Sequence, residues 1–227
     1  MSNEHEWKGQ LWLGRDYGLV HGKLGRTAPH AHYAHQVMIA GGQPLQVSLE
    51  GTPQVTDRLF IESLRNHAIM HGSDNVLCIY AEPLMFEAQA LQDCLADVEP
   101  SLPAIAQALL QCPRRPLTDP RIGRALQALD SLLAGKVSAA SLAAQAHVSL
   151  SQLERLFTRQ VGLPVRRLVL WRRLRLATAL MLSGSNLTEA AHAAGFADAA
   201  HLSRSLKKIF GVTASHGLNG MHIRLLD

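Results

Sequence analysis

Residues 142–162 and 190–211 are two versions of one pattern, and an internal repeat of this kind leaves a chain few folds to adopt. Ala143 and Val148 match Ala191 and Phe196 at an offset of 48, while Leu153, Arg155, Arg159 and Gly162 match Leu202, Arg204, Lys208 and Gly211 at an offset of 49. The second copy therefore carries one extra residue in its turn. Each copy reads as a short helix, a tight turn and a second helix that begins with polar residues, which is the helix-turn-helix plan. Ala143 and Ala191 are small where two crossing helices must approach, and Val148 with Leu153, or Phe196 with Leu202, fills the angle between them. Gly195 suits a turn with positive φ, and His147, at the equivalent point, tolerates that region better than most residues. Ser149 and Asp198 stand where the following helix needs an N-cap.

The first positions of each second helix then face outward: Ser151, Gln152 and Arg155 in one copy, Ala200, His201 and Arg204 in the other. Between the copies runs VRRLVLWRRLRLATALML, 18 residues of helical period. As a continuous helix it spans roughly 27 Å. Such a spacer can set two reading helices about one DNA turn apart, roughly 34 Å, on one face of a duplex.

Charge agrees with this division of labour. Before Pro113 the chain has 6 Lys+Arg against 12 Asp+Glu, and after it 16 against 6, so an acidic half of net −6 precedes a basic half of net +10. A basic half next to an acidic one points to a polyanionic partner for the C-terminal part alone. The three cysteines, Cys78, Cys94 and Cys112, are widely spaced with no CxxC, so reduced buried thiols are expected. No stretch approaches the roughly 20 apolar residues of a membrane span, and no signal-peptide pattern opens the chain. A cytoplasmic protein with no membrane partner is the expectation.

The acidic half has the pattern of strands. Short runs such as HQVMIA (35–40), LQVSLE (45–50), RLFIES (58–63) and VLCIYA (76–81) are punctuated by turn-forming GG, GTP and HGSDN, which predicts a small barrel or sandwich. From Pro83 the period becomes helical, with Phe86, Ala90, Leu91, Cys94, Leu95 and Val98 on one face and a second apolar segment, LPAIAQALLQ, behind it. These faces can pair between two chains as a homodimer or pack internally. CPRRPLTDP (112–120), with three prolines, is the linker, and everything after it is helical in period. Residues 1–112, 113–120 and 121–227 are thus the expected first domain, linker and second domain.

Taken together, SLAAQAHVSLSQLERLFTRQVG, RRLRLATALML and NLTEAAHAAGFADAAHLSRSLKKIFGVT resemble the DNA-binding domain of AraC/XylS-type transcription regulators over about a third of the chain. The resemblance implies double-stranded DNA as partner, with Arg155 and Arg204 on recognition helices where an arginine can bridge guanine O6 and N7. Arg159, Arg173, Lys207 and Lys208 are candidates for phosphate, which positions without specifying. Arg166, Arg167, Arg172 and Arg175 read as a solvated charge run and Trp171 as core.

Residues 25–85 then resemble a shortened cupin-like barrel of the type fused to such domains. The sequence HAHYAHQ places His30, His32 and Gln36 on one strand face with His35 opposite, and His67 can approach from a later strand. These four residues are candidate ligands of a small effector or of a divalent metal, with Gln36 standing where the cupin pattern has a carboxylate. His35 and His71 are expected to be structural or exposed. The resulting expectation is an α+β protein: a cupin-like barrel that senses an effector, then an all-α domain with two helix-turn-helix motifs joined by a long helix. It is a regulator rather than an enzyme; the alternative is a metal-dependent cupin enzyme with an appended DNA-binding domain.

Overall fold

The computed structural model describes residues 6–217 and 220–226. The chain divides into two compact units, Met1–Arg114 with Ser203–Asp227, and Arg115–Leu202. A sheet-rich first unit and a helical second one agree with the coarse α+β expectation. The described residues from 203 onward, however, belong to the first unit.

In the first unit, strands β1 (Lys8–Leu13), β2 (Tyr17–Leu24), β3 (His35–Ala40), β6 (Arg58–Ile61), β8 (Ser73–Ala81) and β9 (Gly220–Leu225) form a six-stranded sheet in the order β6-β3-β8-β2-β1-β9. Strands β4 (Leu45–Leu49), β5 (Thr52–Thr56) and β7 (His67–Ile69) form a second sheet, ordered β5-β4-β7. Neither sheet closes on itself among the described residues, so the expected barrel is two open sheets. One edge ends in the four-residue β6, and the other is covered by β9, which runs parallel to β1 with Leu11 opposite Ile223. The tail read as helical is therefore partly strand, because an unpaired β1 edge offers its backbone groups the partners that a short isolated helix lacks.

Alternation along β3 sorts its side chains. Val37 and Ile39 join Leu19, Leu77 and Ile79 in the core under helices α1 (Ala88–Leu95) and α2 (Leu102–Gln111), whereas Gln36 turns to the other face. Leu91, Leu95, Ile105 and Leu109 are fully buried in this same core, each contributing about 1.5–3 kcal/mol of burial before entropy is counted. The two apolar helix faces that were candidates for dimerisation are thus spent inside one chain. Arg114 closes the unit: its Nε donates to Asp16 Oδ2 at 2.9 Å, its Nη1 donates to the Leu109 and Cys112 carbonyls, and its guanidinium lies 4.1 Å from the centre of the Phe86 ring.

In the second unit Asp119 caps α3 (Pro120–Leu132), with proline at the first helical position, where its missing N–H costs nothing. Then follow α4 (Ala139–Gln145), α5 (Leu150–Leu156) with a π-helical turn over Phe157–Val161, α6 (Val165–Leu182), α7 (Leu187–Ala193) and the start of α8 (Ala199–Phe210). Helix α6 buries Leu168, Trp171, Leu174 and Ala177, so Trp171 is core as expected. Among the described residues no helix is long and apolar enough to cross a membrane.

Candidate nucleic-acid interface and histidine cluster

The two copies of the repeat adopt the same local structure. In the first, Val148 N donates to Ala143 O at 3.0 Å; in the second, Phe196 N donates to Ala191 O at 2.8 Å. His147 has φ 56° and Gly195 φ 78°, which confirms the left-handed turn in both. Ala143, Ala191, Leu153, Leu202 and Phe196 are buried, filling the angle between helices. Ser149 caps α5, and Asp198 Oδ1 accepts from His201 N at 2.6 Å to cap α8.

Ser151, Gln152, Arg155 and Arg159 are exposed along α5 and its π-helical extension, and Ala200, His201, Arg204, Lys207 and Lys208 are exposed along α8. Ser151, Arg155 and Arg159 line a shallow open groove together with Glu154 and Thr158. Two expected contacts have other work. Gln152 completes a capping box, its Oε1 accepting from Ser149 N at 3.0 Å, a role that the spacing Ser-x-x-Gln signals. Arg173, a phosphate candidate, instead donates to the carbonyls of Leu133 at 3.1 Å and Gly135 at 2.6 Å, satisfying groups that the end of α3 leaves open.

The positive φ of the second turn is what calls for glycine at 195. A Cβ there would lie 2.9 Å from the Arg173 guanidinium, in a backbone conformation that L-residues avoid. Gly195→Ala is expected to cost about 1–3 kcal/mol, read as a lower midpoint in denaturant unfolding of the full chain. An unchanged midpoint would mean that the turn tolerates a side chain at this φ without strain.

The histidines converge, though not on one strand. Only residues 35–40 of that segment are strand, and His30 instead forms an isolated antiparallel bridge with His67. His30 N donates to His67 O at 3.0 Å, and His67 N to His30 O at 2.9 Å. This places the ring centres of His30 and His67 4.2 Å apart, with His32 4.9 Å from His67. Burial, followed by the neighbouring His67, pushes His30 down to about 4. Burial also lowers His32 and His67. Gln36 accepts from His32 Nε2 through its Oε1 at 3.1 Å and donates from Nε2 to Cys78 Sγ at 2.9 Å. It therefore holds a histidine in place. His35, on the opposite face as expected, is buried, stacks on Phe60 and accepts from Ser63 N. His71 is exposed.

Four neighbours were not anticipated. Cys78 and Tyr80 alternate along β8 toward Gln36, a period-two signal present in VLCIYA. Phe210, the last residue of α8, packs its ring 5.7 Å from His32, and no local pattern announces that. Gly211 follows, and a Cβ on it would meet Ala28 O at 2.5 Å and His30 Nδ1 at 2.7 Å. Only glycine lets the chain pass this close.

The helix-turn-helix domain family matches residues 142–219. This segment is an AraC-type helix-turn-helix domain. The AraC-type domain thus begins in α4 and includes α8. No curated protein matches the chain. Among solved structures, ToxT K231A from Vibrio cholerae without ligand is similar at 10% identity and a TM-score of 0.59, covering 88% of this chain and 96% of that one. Wild-type ToxT from the same organism, bound to unsaturated fatty acid, is similar at 9% identity with a TM-score of 0.57, covering 88% and 94%. A transcriptional regulator from Chromobacterium violaceum with an AraC-type DNA-binding domain is 26% identical over 42% of this chain and 87% of its own, with a TM-score of 0.41. The ToxT likeness extends beyond the AraC-type domain and gives the chain a ToxT-like fold, a sheet-rich N-terminal region followed by a helical one.

Proposed function

We propose that this protein is a transcription regulator that binds double-stranded DNA through α5 and α8 and is controlled by a small effector held in the sheet-rich unit. The observation that carries this reading is the pair of helices with matching turns, caps and exposed basic faces within an AraC-type domain. Arg155 and Arg204 are the base-reading candidates, while Arg159, Lys207 and Lys208 engage phosphate. Arg173 serves the fold.

Effector control is supported by the path of α8. It runs from the outward-facing Ala200 and His201 to Phe210, whose ring lies against His32 and Tyr80. An effector that prefers one arrangement of that ring shifts the population of α8 positions by its differential affinity. ToxT, with a structure bound to unsaturated fatty acid, is a precedent for a ligand on this fold. The enzyme alternative draws on the histidine cluster alone, whereas the regulator reading draws on the AraC-type domain as well.

Footprinting the full chain on DNA flanking its own gene is expected to show protected segments about one helical turn apart. Uniform, salt-sensitive binding without protection would count against sequence reading. Lys208→Ala is expected to weaken binding to all sequences alike and to reduce the slope of log K against log salt by about 1. Titrations at several salt concentrations measure it.

A further inference from the structure

We propose that His30, His32 and His67 are the three protein ligands of a divalent transition-metal ion of the zinc type. This rests on reading the first unit as sensory and names the chemistry of its site. One candidate nitrogen from each ring lies within 4.8 Å of one from each of the others, and all three residues are buried. Ligand nitrogens around tetrahedral zinc sit roughly 3.3 Å apart, given bonds of about 2.0–2.1 Å. Binding an ion therefore requires the rings to draw closer together than they stand here.

The hydrogen bonds of the rings decide between a ligand set and a packing cluster. His30 Nδ1 is 2.9 Å from the Ala28 carbonyl and His67 Nδ1 is 2.9 Å from the Arg65 carbonyl. A carbonyl can only accept, so both rings carry their proton on Nδ1 and present the lone pair of Nε2. On His67 that Nε2 is buried and has no hydrogen-bond partner among the described residues. His32 Nε2 lies 3.1 Å from Gln36 Oε1, which holds that ring in place. His30 and His67 are thus each oriented by a carbonyl acceptor on Nδ1, which is how metal-bound imidazoles are held.

A cluster formed for packing alone gains nothing from burying the His67 Nε2 without a hydrogen-bond partner among the described residues. Three neutral imidazoles without a carboxylate favour zinc, cobalt, nickel or copper over magnesium or calcium. They also leave the ion's full charge and a fourth position for water or an anion. Gln36, placed by sequence where a ligand was expected, orients His32 instead.

The test uses the full chain, stripped by chelator and titrated with Co2+. The expected result is one Co2+ per chain with the visible absorption of a four- or five-coordinate nitrogen site, displaced by Zn2+. His67→Ala should abolish it, and His71→Ala, an exposed histidine outside the cluster, should leave it intact. Gln36→Leu should keep the stoichiometry and weaken affinity about 10- to 100-fold. Folded wild type that takes up no Co2+ overturns the proposal, as does His67→Ala that retains full affinity. Should His67→Ala fail to fold, the wild-type spectrum decides: weak octahedral bands on the folded chain overturn the site. Footprinting of the same preparations keeps the two readings apart, because DNA protection without metal uptake sinks the metal and spares the regulator.

Discussion

Chelator-treated protein is expected to lose about 3 kcal/mol of stability between pH 6.5 and pH 4 through His30 alone. Burial, then the nearby His67, pushes the His30 imidazole down to about 4, while in the unfolded chain it returns to its ordinary value of 6.5. Between these values the unfolded state binds a proton that the folded state refuses, so stability is fully present above pH 6.5 and falls as the pH drops toward 4. His32 and His67 are shifted in the same direction for the same reason and steepen the loss. Asp119, which Arg121 holds at about 2, titrates below this window and does not contribute to it. Denaturant unfolding at half-unit pH steps measures the slope. A flat profile from pH 6.5 to 4 would show that water reaches these rings freely.

In the second unit, Arg155→Ala is expected to lower discrimination between a cognate site and the same site with one altered guanine by about 1–3 kcal/mol, or roughly 5- to 150-fold. The side chain stands exposed on α5, whose first turn is fixed by the reciprocal bonds of Ser149 and Gln152. A rigid start delivers the guanidinium to one base rather than to several. Lys208→Ala is the contrast, because losing a phosphate contact weakens every sequence equally. Competition binding with matched and mismatched duplexes separates the two. If Arg155→Ala weakened both duplexes alike, Arg155 would be a phosphate contact and the reading of α5 would need another anchor.

Much of the C-terminal structure was legible because its determinants are local. Positive φ at His147 and Gly195, the caps at Ser149 and Asp198, and the buried Ala143 and Ala191 all follow from residues fewer than ten positions apart. The opposite orientations of His35 and Gln36 followed from strand alternation, which is equally local. The expected dimer faces on α1 and α2 were ambiguous for a plain reason: an apolar helix face carries no mark of which surface covers it. Here the six-stranded sheet covers both.

What the sequence determined by itself is therefore the repeat, its turns and caps, the strand and helix periods and the separation of acidic from basic halves. Tertiary structure alone decided that Arg173 serves the α3 terminus and that Gln36 steadies His32. It also decided that β9 returns to β1 and that Phe210 and Gly211 arrive beside His30 and His32. The physical reason is the same in each case. A guanidinium, an amide or a strand edge can be satisfied by many partners, and which one it meets depends on where distant parts of the chain are brought by burying the core.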